Sequence, residues 1–374
     1  MQDCSSCISK RSTLGMHISL PWLISLVLLG TWCVPPRISA ERILFNPQQK
    51  AQLQRASTIF VKAVTLTEKG LVAPVLIETA TADRLTATGF TVITAESNPH
   101  DVVLKVRCDE RKPWAGIRKS DGEIQQPGAP SRNWKGPACR LSYFFDDQKG
   151  PWQYEIRTPF DNAWEAARAN GHGDPGQFAL QHLSQALRES DFPLDLAAEW
   201  KQAERLSSLL IDPQTDKATK LKILSLAGHV PGDTMLQALQ RIRTQVEFAT
   251  PATVALGFMG EPAIPTLMGL LSDPSMEIQA AAAQALGEIG AHSGNVEILP
   301  PLLAKMEEPD VHLRVQTEIV RAIGKTPDLR SLEPLEQFAL KVWTARSNDP
   351  LMQELRKAVD WSMWQINPTA HTDE

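Results

Sequence analysis

Two stretches of this chain repeat one another in outline, and that repetition narrows the fold more than any other feature. Residues 263–290 read AIPTLMGLLSDPSMEIQAAAAQALGEIG, and residues 298–324 read ILPPLLAKMEEPDVHLRVQTEIVRAIG. Each has Pro near the start of an apolar-faced helix, an Asp-Pro or Pro-Asp turn, and a second helix that closes on Gly. Proline suits a first helical turn and glycine a helix end. A lone helical pair leaves one apolar face wet, so it is stable only when stacked on neighbouring pairs. Weaker copies extend both ways. Asp212-Pro213 precedes a helix ending at Ala227-Gly228, Leu256-Gly257 and Gly260 end another unit, and Asp349-Pro350 separates 331–346 from 351–366. The pattern predicts about five units over 197–366. The run Ala280-Ala281-Ala282-Ala283 lets two helices approach closely, and Trp343, Trp361 and Trp364 are read as packing at the end of the stack.

Asp273-Pro274, Pro309-Asp310, Leu286-Gly287-Glu288-Ile289-Gly290 and Ala322-Ile323-Gly324 resemble the turn and the second-helix ending of the HEAT-repeat family of armadillo-like α-solenoids. Arg314 keeps the family's basic residue, whereas Gln279 replaces it after Ile278. The resemblance implies paired antiparallel helices with an extended surface for a protein partner. One enzyme type built from such repeats, a metal-dependent hydroxylase, carries His-Glu pairs. This chain has no His-Glu dipeptide.

Ahead of the repeats the periodicity changes. Residues 57–66, 90–95, 101–109, 139–146 and 152–157 read as strands. In 101–109, Val102, Leu104, Val106 and Cys108 alternate onto one face. Residues 70–88 read as a helix with Pro74 in its first turn, and 175–190 as an amphipathic helix with Phe178, Leu180, Leu183 and Leu187 inward. Asp147-Gln148-Lys149-Gly150 reads as a hairpin turn. The order predicts an α+β domain at 41–192, a mixed sheet with helices on one face, followed by the all-α HEAT-like solenoid.

A segment at 110–138, rich in Pro, Gly and Ser, has neither period. A long loop of this kind is usually functional or disordered. Over residues 105–140 nine basic groups face four acidic ones. Trp114, Arg118, Lys119, Trp134 and Lys135 are the candidate partner-binding residues, because interleaved cations and rings suit an anionic or ring-bearing partner. If the flanking strands pair, Cys108 and Cys139 meet in a disulfide at the base of the loop.

The first forty residues read as an export signal. Lys10 and Arg11 precede the uncharged run 18–34, and Ile38-Ser39-Ala40 follows it, so cleavage is expected after Ala40. The run is short for a membrane span and ends at Pro35-Pro36, so no stable span is expected after cleavage. Three of the five cysteines lie in this segment, and the two that remain suit an oxidising compartment. The expected location is periplasmic or secreted. Residues 367–374 read as a flexible tail.

Residues 197–374 hold 16 basic and 23 acidic groups, a poor footprint for nucleic acid. No G-x-S-x-G, G-x-x-x-x-G-K-[ST] or H-E-x-x-H motif occurs. His100-Asp101 and His172 with Asp174 are the remaining candidates, and both read as turn residues. His229, His292 and His312 each lie four residues from a carboxylate, with Pro or Gly between, and read as surface pairs. No catalytic residue, cofactor or metal is expected. The sequence thus predicts an exported, non-enzymatic protein–protein interaction scaffold. The alternative is a cell-envelope glycan- or lipid-binding protein acting through the basic, tryptophan-bearing loop.

Overall fold

The computed structural model describes residues 45–110 and 136–368. Helix α1 (Pro47–Arg55) opens the described chain. Asn46 and Gln49 cap it reciprocally: the Gln49 N–H donates to Asn46 Oδ1 at 2.9 Å and the Asn46 N–H to Gln49 Oε1 at 3.0 Å. Strand β1 (Thr58–Thr67) turns back into the short β2 (Gly70–Val72), and α2 (Val75–Ala87) leads to β3 (Thr91–Ile93). Strands β4 (Val102–Asp109), β5 (Ala138–Phe145) and β6 (Gln148–Arg157) complete a mixed sheet. Its order is β2-β1-β4-β5-β6, with β3 beside the start of β1. β1 is parallel to β3 and β4, and the other pairings are antiparallel.

Alternation decides what each strand buries. Ile59, Ala63, Leu104, Val106, Leu141 and Tyr143 point to one face and are buried. Helix α2 and helix α4 (Pro175–Glu189) cover that face, supplying Ile77, Leu85, Leu183 and Leu187. Lys62, Lys105, Arg107 and Arg140 stand on the opposite, exposed face. Helices on one face of a mixed sheet are what the strand order predicted.

Two local readings differ from the structure. Residues 70–72, expected to open a helix, pair with Thr65–Thr67 instead, because Gly70 at φ 103° makes a tight reversal and Pro74 blocks earlier helix entry. The β5–β6 hairpin turns at Asp146 and Asp147, both left-handed at φ 47° and 61°, so Gln148–Gly150 belongs to the strand.

After the short α3 (Ala163–Ala169), α4 and α5 (Phe192–Glu199), the chain is helical throughout. Five pairs follow: α6 (Ala203–Ile211) with α7 (Lys217–Leu226), α8 (Asp233–Ile242) with α9 (Val246–Leu256), α10 (Ile264–Leu270) with α11 (Met276–Ser293), α12 (Leu299–Glu307) with α13 (Leu313–Lys325), and α14 (Leu332–Thr344) with α15 (Pro350–Ile366). The polar turns work as helix caps. Asp216, Ser275 and Asp349 each accept from a backbone N–H in the first turn of the helix that follows. Gly290, expected at a helix end, lies inside α11. That helix ends instead at Gly294, left-handed at φ 68°.

The second helices α9, α11, α13 and α15 pack directly on one another in sequence; the first helices α10, α12 and α14 touch mainly their own partners, while α6 and α8 pack on each other. Small residues permit the close approach. A Cβ added at Gly287 would lie 2.7 Å from Ala322 Cα, and one at Gly324 would lie 2.8 Å from Ser362 Cα. From α9 onward the second-helix layer is therefore the closely spaced one.

The stack and the sheet share one hydrophobic core. α5 straddles residues 192–197, where the sequence changes character. Trp200, 2% exposed, packs edge-on against Phe90 at 5.9 Å and Tyr143 at 5.3 Å. The buried Gln202 side chain donates to Leu53 O at 3.0 Å and Ala56 O at 2.7 Å, satisfying the end of α1.

Candidate functional site on the second helices

The second helices α11, α13 and α15 each keep a partly accessible stripe. On α11 it carries Glu277, Gln284 and Glu288, on α13 Arg314, Glu318, Arg321 and Lys325, and on α15 Trp361. The stripes are set by helical period: 314, 318, 321 and 325 are spaced by four, three and four residues, one face of a helix. Charges cross from helix to helix. Lys325 pairs with Glu288 across the α11–α13 contact. Arg321 pairs with Glu318 along α13 at 2.6 Å. The Ser275 hydroxyl, bonded to Glu277 at 2.8 Å, holds that carboxyl below its ordinary range, and Arg314 and His312 act in the same sense. The Trp361 ring reaches over Gly324 and remains 39% exposed. The result is a polar ridge over α11 and α13, held by two ion pairs, with an accessible indole at the α15 end.

His292 and Glu288, expected not to share a helix face because Gly290 lies between them, both stand on α11, and His292 Nδ1 is 2.7 Å from Glu288 O. The intervening Gly290 is tolerated inside the helix because its missing side chain makes room for Thr326 and Ile298.

The loop residues Trp114, Arg118, Lys119, Trp134 and Lys135 lie outside the described residues. Both ends of that segment are described. Cys108 and Cys139 face each other across the β4–β5 pair, both fully buried, and are joined by a disulfide. Glu110, 4% exposed, accepts from the Glu68 N–H at 2.9 Å. Gly136 lies against the backbone of Phe160 and Asp161.

The other candidates hold structure. Asp101 accepts from Ser57 N and Thr58 N at 2.8 Å and from Thr58 Oγ1 at 2.7 Å, which ties the β4 entry to β1. Burial raises its pKa, and these hydrogen bonds outweigh that, so the carboxyl sits below its ordinary range. His100 lies against Phe60 with ring centroids 5.4 Å apart. Asp174 caps α4 and pairs with Lys69 at 2.6 Å, while His172 packs on Phe178 at 4.8 Å. Among the described residues no cluster of three metal-ligating side chains occurs, and no helix is long and apolar enough to cross a membrane.

Residues 263–293, the α10–α11 pair, match the HEAT repeat family. No curated protein matches the chain. Among solved structures it is similar to human deoxyhypusine hydroxylase in complex with glycerol, at 15% identity and a TM-score of 0.26, over 54% of this chain and 89% of that one. The helical part is thus a HEAT-like α-solenoid attached to an α+β sheet domain that the sequence comparisons leave without a family.

Proposed function

We propose that this chain is an exported, non-catalytic scaffold that holds a protein partner on the second-helix ridge of its solenoid. The observation that carries this reading is the ridge itself, in which α11 and α13 present aligned polar stripes within a stack of five helical pairs and the α10–α11 pair matches the HEAT repeat. Repeats of this kind build extended binding surfaces. Export is supported by the amino-terminal signal pattern and by the buried disulfide, a bond characteristic of oxidising compartments. The non-catalytic reading is supported by Asp101 and Asp174, whose carboxylates are engaged in tying strands and capping a helix.

Truncation is a poor test because the solenoid shares a core with the sheet, so the test alters the ridge alone. Full-length protein and the double variant Gln284→Arg/Arg321→Glu are crosslinked in the native host and purified. A defined protein partner recovered with the parent and lost with the variant supports the scaffold. An unchanged partner set, or no protein partner with either form, overturns it. Amino-terminal sequencing of the mature protein is expected to begin at Glu41, and an intact Met1 refutes cleavage.

A further inference from the structure

The face of the sheet opposite α2 and α4 carries an arrangement that stability alone does not favour. On adjacent strands Lys62 lies directly opposite Lys105, and Arg107 directly opposite Arg140. Like charges facing each other across a strand pair are destabilising. The same face adds Lys149 and Arg157, against Asp109, Glu155 and the neighbouring Glu96. Lys62 pairs with Glu96 at 3.1 Å and Arg107 with Asp109 at 3.2 Å, and Arg157 pairs with Glu155. Lys105 is in no ion pair among the described residues, and Arg140 stands directly opposite Glu155 on β6, whose carboxylate pairs with Arg157. Lys105 instead sits 3.6 Å from the centre of the Phe144 ring.

The geometry points to this face as a docking platform for an extended acidic segment of a partner protein, separate from the solenoid ridge. Two features fix the chemistry. Lys105 and Arg107 are two residues apart on β4, about 6.6 Å, which equals the repeat of same-side residues along an extended chain. A segment lying along β4 with Asp or Glu at alternate positions sets successive carboxylates over Lys105 and Arg107, with Lys62 and Arg140 about 4.8 Å to either side. Second, the aromatic rings of this face are occupied. Lys105 covers Phe144, and His100 packs against Phe60. Among the described residues the face offers cations and no free ring, which suits carboxylates better than the stacked bases of a single-stranded nucleic acid.

The test uses the full-length protein and two dodecapeptides of equal charge, one alternating Glu and Thr and one with the six Glu in a block. A single-stranded oligonucleotide and vesicles of anionic phospholipid are the competing probes. The alternating peptide is expected to bind more tightly than the block peptide and to weaken as salt rises. The variant Lys105→Glu/Arg140→Glu is expected to lose about ten-fold in affinity or more, as Coulomb attraction at two contacts turns to repulsion. Arg140→Gln is the folding control: it is expected to bind more weakly while unfolding at about the same temperature, because it removes the Arg107 repulsion together with the attraction to Glu155 opposite. The proposal is overturned if neither peptide binds, if the two bind equally, if the variant binds as the parent does, or if only the oligonucleotide or the vesicles bind.

Discussion

Replacing Gly287 with Ala tests the account of how the second helices approach one another. In a helix interior alanine is better than glycine by about 0.8–1 kcal/mol, so by propensity alone the substitution stabilises. The structure opposes that. The added methyl would lie 2.7 Å from Ala322 Cα and 2.8 Å from Ala322 Cβ, and neither is the free end of a flexible side chain. Helix α13 has to move as a body, and forcing an extra carbon into a packed contact costs about 1–3 kcal/mol. The net expectation is a loss of up to about 2 kcal/mol. Gly269, on the exposed side of α10, has nothing within 4 Å of a built Cβ, so Gly269→Ala keeps the propensity gain alone. The two variants carry the same chemical change and are expected to move stability apart by about 1–3 kcal/mol. Urea unfolding followed by far-ultraviolet circular dichroism reads this directly. With a slope of about 3 kcal/mol/M the midpoints separate by about 0.3–1 M. If Gly287→Ala is stabilised as much as Gly269→Ala, the helices are not held in contact at that glycine and the account of the closely spaced layer fails.

Further outcomes follow from the same geometry. Trp200→Ala removes a fully enclosed ring between Phe90, Tyr143 and the first solenoid helices and is expected to cost about 3–5 kcal/mol while sheet and helix signals still melt together; separate transitions refute the shared core. Replacing both Cys108 and Cys139 with Ala releases a constraint spanning 31 residues and is expected to cost about 3–4 kcal/mol; a parent that shows equal free thiol with and without reductant refutes the bond. The Asp101 carboxyl is held below its unfolded value, so its contribution is present above about pH 4 and disappears as pH falls through its folded value. Asp101→Asn is therefore less stable at neutral pH and flatter under acid than the parent, and parallel acid titrations of the two forms contradict the assignment.

The sequence made the architecture legible where pattern and packing coincide. The 263–290 and 298–324 repeats announced helical pairs because their apolar faces recur at helical spacing and their Pro-bearing turns lead into helices capped by Ser275 and His312. The strands at 102–109 and 138–145 were readable from simple alternation, and Cys108 and Cys139 fall in register once those strands pair. Other features depend on tertiary contact. Gly290 looks like a helix end and is not, because Thr326 and Ile298 fill the space beside it. Residues 70–72 have no strand pattern of their own and become one only against Thr65–Thr67. The short helices α1, α3 and α5 were missed. α1 carries a capping-box signal at Asn46 and Gln49, but α5 is defined by its burial between sheet and stack. The two prominent surfaces fared differently. The HEAT resemblance foretold a binding face, yet the facing Lys62–Lys105 and Arg107–Arg140 pairs are invisible until strand order brings residues 43 and 33 positions apart into register.

The continuous packing through Trp200 and Gln202 has a consequence for how the molecule can vary. A helical stack needs both ends closed, and here the sheet domain closes the proximal end, fixing where the first pair must begin. Among the described residues no comparable element packs over the last pair, where Leu340, Trp343 and Trp364 stand 68%, 52% and 51% exposed. Pairs can therefore be gained or lost by duplication near α14 and α15 without disturbing the sheet, whereas an insertion before α6 would pull the cap from its seat. Length is an adjustable property of this architecture at one end only.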